Sequence, residues 1–237
     1  ISDVSSQYCS IGLWGPHARE VLQAVCEEDV SNSVFPYYTY KRITIDAVST
    51  LALRVSYVGE LGWEFYAPTE YGLKLWDVLW NSGKSFGVIA AGMGAFDSLR
   101  LEKGYRLWGA DIHTEYNPYE AGLDWAVQLN KGDFLGRKAL IKNMDGEVSR
   151  KLCCMTLDDP KGMVLGKEPI LDGNQRLGYV TSSNFGYSIG KLILYGYLPV
   201  EYTHVGTKVE IEYFGERYTA TVRSEPLYDP EMKKLKL

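Results

Sequence analysis

Asn143-Met-Asp-Gly-Glu-Val148 separates two kinds of sequence, and the difference between them decides the fold. Beyond it, short apolar or alternating runs recur at Lys151 to Leu157, Leu177 to Thr181, Leu192 to Tyr197, Lys208 to Tyr213 and Tyr218 to Val222, with Gly, Pro and Asn between them. Runs of this length, rich in β-branched and aromatic residues and bounded by turn formers, read as strands. Several in succession without helical periodicity predict a small all-β barrel or sandwich.

Upstream, helical and strand patterns alternate. A Gly15-Pro16 turn leads into Ala18, Val21, Leu22 and Val25 at helical spacing. Leu51, Leu53, Val55 and Tyr57 alternate with Ala52, Arg54 and Ser56, the period of two that marks a strand buried on one face, and Gly59 ends it. A second strand covers Trp63 to Tyr66. Leu73, Trp76, Leu79 and Trp80 then form one stripe on a helix from Glu70 to Ser82, and a third helix is predicted over Met93 to Lys103. The fold class is therefore α+β: a first domain over residues 1–147 and a β domain over residues 148–237.

Composition narrows the function classes. Of 237 residues, 46% are hydrophobic and 23% charged, which is ordinary for a globular chain and excludes disorder. A net charge of -5 without a clustered Lys/Arg face argues against a nucleic-acid partner, since phosphate neutralisation needs such a face. Lys233, Lys234 and Lys236 form the sole basic cluster and read as a solvated tail. No run approaches the roughly 20 apolar residues that cross a bilayer, and Ile1 to Gly12 lacks the basic and apolar regions of an export signal. No membrane partner is expected. Cys9, Cys26, Cys153 and Cys154 have neither metal-ligand spacing nor the density of a disulfide scaffold, so they read as buried thiols in a reducing compartment.

Three apparent motifs fail on inspection. Gly83-Lys84-Ser85 would need a glycine at position 78, where the chain has Val78. Gly92-Met93-Gly94 lacks the third glycine of a dinucleotide fingerprint. His17, His113 and His204 have no carboxylate or cysteine at ligand spacing, so no metal site is expected.

Other segments carry more. Arg54 to Phe65 reads as strand, glycine-bearing turn and strand, placing Tyr57 and Glu64 on adjoining strands with Gly59 and Gly62 between. On this segment alone Glu64 reads more readily as an exposed strand glutamate; if it faces a closed pocket instead, its carboxylate accepts two parallel hydrogen bonds from an amidine-like N–H pair, the edge that a pterin presents. In Phe96-Asp97-Ser-Leu-Arg100-Leu-Glu102-Lys-Gly104-Tyr105-Arg-Leu-Trp108, the charges either pair locally as a structural network or serve a pocket walled by Tyr105 and Trp108. Asn117-Pro-Tyr-Glu120 opens a turn in which Glu120 is a candidate buried anchor.

Taken together, Leu13-Trp-Gly-Pro-His-Ala18, the Tyr57-to-Glu64 segment, Leu99-Arg-Leu-Glu-Lys-Gly-Tyr105, Asn117-Pro-Tyr-Glu-Ala-Gly-Leu123, Phe134-Leu-Gly-Arg-Lys-Ala-Leu140 and Ser182-Ser-Asn-Phe-Gly-Tyr-Ser-Ile-Gly190 resemble the T-protein (aminomethyltransferase) family of the glycine cleavage system. The resemblance is closest to the folate-binding C-terminal module of dimethylglycine and sarcosine dehydrogenases. It implies a three-lobed assembly of domains holding tetrahydrofolate in a central hole, with the β domain closing one side. It also implies Glu64 as the residue gripping the pterin and Tyr57 and Tyr105 as pocket tyrosines; Trp108, from its place past the helix, is a further wall candidate.

The same resemblance implies parts outside this chain. The family's catalytic aspartate precedes the Leu-Trp-Gly-Pro region, so no catalytic residue is assigned here, and the chain is expected to be a portion of the folate module, inactive alone. FAD is implied in an N-terminal flavin domain of the same protein, which would oxidise a small N-methyl amine such as dimethylglycine or sarcosine, in the cytoplasm or mitochondrial matrix. Where glycine-cleavage members carry an arginine this chain has Phe96, which favours the dehydrogenase branch over a free-standing aminomethyltransferase. A regulatory relative that kept the fold and lost the chemistry is the remaining alternative. Retention of Tyr57, Glu64 and Tyr105 argues against it.

Overall fold

The computed structural model describes residues 1–145 and 148–237, and the chain divides into two compact units, Ile1–Leu99 with Asp229–Leu237, and Arg100–Tyr228. The domain boundary expected between residues 147 and 148 falls at Gly146 and Glu147, outside the described residues.

In the first unit β1 (Tyr8–Trp14), β2 (Tyr40–Ile45), β3 (Val48–Leu53) and β4 (Gly62–Pro68) form an antiparallel sheet in the order β1-β4-β3-β2. Alternation along β4 sends Trp63, Phe65 and Ala67 into a core shared with Val21 and Leu22 of α1 (Ala18–Gln23) and Leu75 and Leu79 of α2 (Gly72–Gly83). Glu64 and Tyr66 take the opposite face. Burying a side chain of the size of Phe65 contributes about 1.5–3 kcal/mol. A slip of one residue would expose Trp63 and Phe65 and bury Glu64, so the core fixes which face carries the carboxylate.

The strand expected to run to Tyr57 stops at Leu53, and Tyr57 lies in the connection to β4 rather than on a strand adjoining that of Glu64. The cause is local. Arg54 turns inward and is fully buried, donating to Asn32 Oδ1 (2.5 Å) and to the carbonyls of Phe35 (2.6 Å) and Leu237 (2.5 Å). The Val55 carbonyl accepts the Trp14 indole N–H at 3.0 Å, which takes it out of any ladder.

Helix α3 (Met93–Glu102) starts in the first unit and finishes in the second. Gly104, at φ 76°, stops it: the amides of Gly104 and Tyr105 fold back onto the carbonyls of Leu101 and Arg100, a turn that favours a residue without Cβ. The second unit also contains α4 (Arg137–Asp145) and six strands: β5 (Arg150–Leu157), β6 (Pro169–Asp172), β7 (Gln175–Gly186), β8 (Lys191–Pro199), β9 (Lys208–Tyr213) and β10 (Glu216–Arg223). They close as a barrel in the order β10-β5-β8-β7-β6-β9, which selects the barrel from the two architectures the sequence allowed.

Beside the barrel, Arg100 and Asp111 form an ion pair at 2.6 Å, with side chains 2% and 1% exposed. Ser182 accepts from Arg100, and the second Asp111 oxygen accepts from Thr181. The first also accepts the Leu107 amide. The donors and acceptors of this buried pair are thus largely satisfied, which is the condition for tolerating charge in an interior. Glu120, 9% exposed, accepts from the Asn117 amide and the Arg150 guanidinium, the anchor its sequence context predicted.

Candidate functional site

Strand register builds the site. Glu64 on β4 lies opposite Gly12 of β1 and Leu53 of β3, while Tyr66 lies opposite Ser10 and Leu51. A Cβ at Gly12 would fall 2.0 Å from the Trp14 ring, so the missing side chain is what lets that indole lie over β1. Trp14 is pinned there by its hydrogen bond to Val55. Phe96 stands 6.1 Å from Trp14, and Tyr57 stacks on Phe96 with ring centroids 5.2 Å apart and planes within 17°.

A cavity of about 880 Å³ has Ser10, Gly12, Trp14, Glu64, Trp76 and Phe96 in its wall. Its volume lies in the range of cofactor-sized sites, and its lining is mainly apolar and aromatic with few polar groups, the usual make-up of a pocket for a flat heterocycle. Glu64 Oε2 accepts a 2.8 Å hydrogen bond from the Tyr66 hydroxyl. Burial, and then the neighbouring Glu64 carboxylate, raise the pKa of Tyr66, so this hydroxyl keeps its proton and acts as a donor. A carboxylate held this way can accept an N–H pair from a bound ring.

Of the residues singled out from sequence, Glu64 lines the cavity and Tyr57 backs Phe96 from behind. Tyr105 and Trp108 belong to the second unit. Tyr105 is half-buried just after α3, and its carbonyl accepts from Arg100 at 3.1 Å. Trp108 is 70% exposed on a turn that the Asp111 carboxylate pins through the Leu107 amide. Sequence reasoning did not find Gly12, Trp14 or Tyr66. The signal available was the Gly12-Leu-Trp14 spacing, which only a strand register converts into a ring lying over a glycine. Among the described residues no three His, Cys, Asp or Glu side chains gather as a metal site, and no helix is long and apolar enough to cross a membrane.

Comparison with known proteins identifies the architecture. Residues 1–131 match the family described as GCVT N-terminal domain, and residues 150–229 match the glycine cleavage T-protein C-terminal barrel domain. The chain therefore belongs to the glycine cleavage T-protein (aminomethyltransferase) family. It is 37% identical to the mitochondrial dimethylglycine dehydrogenase of Rattus norvegicus over 100% of its own length and 28% of that protein's. It is 36% identical to an aminomethyltransferase of Symbiobacterium thermophilum, covering 95% of this chain and 60% of the relative. The crystal structure of the glycine cleavage system aminomethyltransferase T from Bartonella henselae superposes with a TM-score of 0.84 at 29% identity, over 94% of this chain and 60% of that one. The chain thus spans little more than a quarter of the dehydrogenase and about three-fifths of the transferases.

Proposed function

We propose that this chain is the tetrahydrofolate-binding part of a one-carbon transfer enzyme, within a protein that oxidises a small N-methyl amine such as dimethylglycine or sarcosine. The observation that carries the reading is Glu64, a carboxylate on the wall of an aromatic-lined cavity, with a fixed donor on one oxygen. The residues fit a pterin. Trp14 and Phe96 offer ring faces for stacking, Glu64 offers an acceptor for the ring's N–H edge, and Tyr57 supports Phe96 from behind. Tyr105 and Trp108 are proposed as further folate contacts.

Folate supplies the amine that accepts the one-carbon unit. The chain's own residues bind and orient: Glu64 fixes the rotation of the ring in its plane, and the apolar wall excludes water, which would otherwise compete by hydrolysis. The catalytic aspartate and the FAD of an amine-oxidising domain are placed in preceding parts of the same polypeptide, and residues 1–147 and 148–237 are taken as its folate-binding portion and its barrel domain. An organelle matrix or the cytoplasm would house it, in keeping with the mitochondrial relative.

The dehydrogenase branch is preferred because identity to that relative is slightly higher than to the transferase, and because Phe96 completes an aromatic row with Tyr57 and Trp14. The test is to follow formaldehyde release from the full-length protein turning over an N-methyl amine, with and without reduced tetrahydrofolate. Release that folate suppresses, with matching gain of a one-carbon folate, is the expected result. No turnover of any N-methyl amine, together with acceptance of an aminomethyl group from a lipoyl carrier, would assign the free-standing transferase; neither activity would assign a regulatory relative.

A further inference from the structure

Glu64 sits on the face of the sheet away from the core, where its neighbours offer little to hold it. Across β1 stands Gly12, which has no side chain, and across β3 stands Leu53, which is apolar. Among the described residues the one side chain that hydrogen-bonds Glu64 is Tyr66, two positions along the same strand and therefore on the same face, at 2.8 Å to Oε2. A glutamate side chain has three rotatable bonds, and without that bond its carboxylate would sample several rotamers over the cavity wall.

We propose that Tyr66 is a positioning residue: its hydroxyl occupies one lone pair of Glu64 Oε2 and fixes the carboxylate plane, so that the remaining lone pairs of both oxygens are presented to the N–H edge of a bound pterin, and it thereby sets the selectivity of the site for a 2-amino ring. The inference rests on the folate reading above. Two further features support it. Tyr66 is itself held in place, because β4 is an interior strand and Ser10, opposite it on β1, lies near enough to its hydroxyl to act on its pKa. Its hydroxyl also remains protonated at neutral pH, since burial and Glu64 both raise its pKa, so the bond runs from Tyr66 to a carboxylate and leaves that carboxylate as an acceptor. Selectivity follows because a carboxylate pre-oriented for two parallel N–H bonds is left partly unpaired by a ring lacking one of them, and an unpaired buried acceptor is costly.

The test titrates the full-length protein with reduced tetrahydrofolate and with its 2-deamino-2-methyl analogue, in wild type, Tyr66→Phe, Glu64→Gln and the double variant. Expected are about tenfold weaker tetrahydrofolate binding in Tyr66→Phe, the loss of one hydrogen bond to a charged group, and a smaller preference over the analogue. In the Glu64→Gln background the phenylalanine change should add little, because the two residues act as one unit. If Tyr66→Phe weakens both ligands equally and the preference is unchanged, the hydroxyl is only structural and the inference is overturned. If Tyr66→Phe matches wild type while Glu64→Gln loses binding, Tyr66 is irrelevant and the folate reading stands. If Glu64→Gln binds as wild type, the folate reading fails and the inference fails with it. Should Tyr66→Phe not fold, Ser10→Ala serves in its place: a reduced preference for the 2-amino ligand is expected, and an unchanged one overturns the proposal.

Discussion

At the scale of single residues the site depends on what is absent at position 12 as much as on what is present at 64. The Trp14 ring occupies the space that a Cβ on Gly12 would take, at 2.0 Å, so Gly12→Ala must push the indole away from the sheet. The expected outcome is a folate affinity lowered at least about tenfold with the indole hydrogen bond to Val55 lost, read by titration and by a shift in tryptophan emission. Unchanged emission and affinity would mean that Trp14 does not form the wall. Glu64 stood out only through the family resemblance, because a glutamate between Trp63 and Phe65 reads equally as an exposed strand side chain; Tyr66 did not stand out, because its contact with Glu64 arises only through alternation on the same strand. Trp108, expected from its place after a helix to wall a pocket, is an exposed indole on the turn Leu107-Trp-Gly109, and it stands as a proposed folate contact.

At the scale of elements the strands of the barrel could be read directly, since β5, β8, β9 and β10 are runs of apolar or alternating residues between turn formers. Strands β1, β2 and β6 were missed for different reasons. In β1 Cys9, Ile11 and Leu13 alternate with Ser10 and Gly12, but a mid-run glycine weakens the strand signal; β2 carries Tyr40, Lys41 and Arg42 at an edge; β6 is four residues beginning with a proline, tolerated at a strand's first position. Arg54 ended β3 early because a buried guanidinium found carbonyl partners off the strand, a tertiary effect that periodicity does not encode. Helix α3 was placed correctly, but the partner of its Arg100 is Asp111, beyond the Gly104 turn. Removing Asp111 takes away the carboxylate that neutralises this buried guanidinium, whose other acceptors include the Ser182 hydroxyl and the Tyr105 carbonyl. Asp111→Ala is expected to cost about 3–5 kcal/mol, measured as a lower denaturation midpoint, with the loop carrying Trp108 becoming more open to amide exchange. A loss under about 1 kcal/mol would show that Arg100 finds another partner or water.

For the molecule as a whole, the buried thiols give a pH signature. Cys26, Cys153 and Cys154 have pKa values raised from 9.0 to about 12, chiefly by desolvation. An unfolded thiol ionises near its ordinary value while these keep their protons, so this contribution to stability is fully present below pH 9 and is lost as pH rises from 9 towards 12. The melting temperature should therefore fall by a few degrees or more over that interval, and replacing the three cysteines by serine should flatten the fall. Both units belong to one family by sequence and by shape, so the question for the whole is whether the cavity of the first unit takes folate in the intact protein. The most direct measurement is calorimetric titration of reduced tetrahydrofolate into the full-length protein and its Glu64→Gln variant, at a pH where both are folded. Binding by the wild type that falls at least about a hundredfold in the variant, the loss of a paired carboxylate contact, is the predicted result; equal affinity in the two proteins would contradict the assignment of Glu64 as the group that holds the pterin.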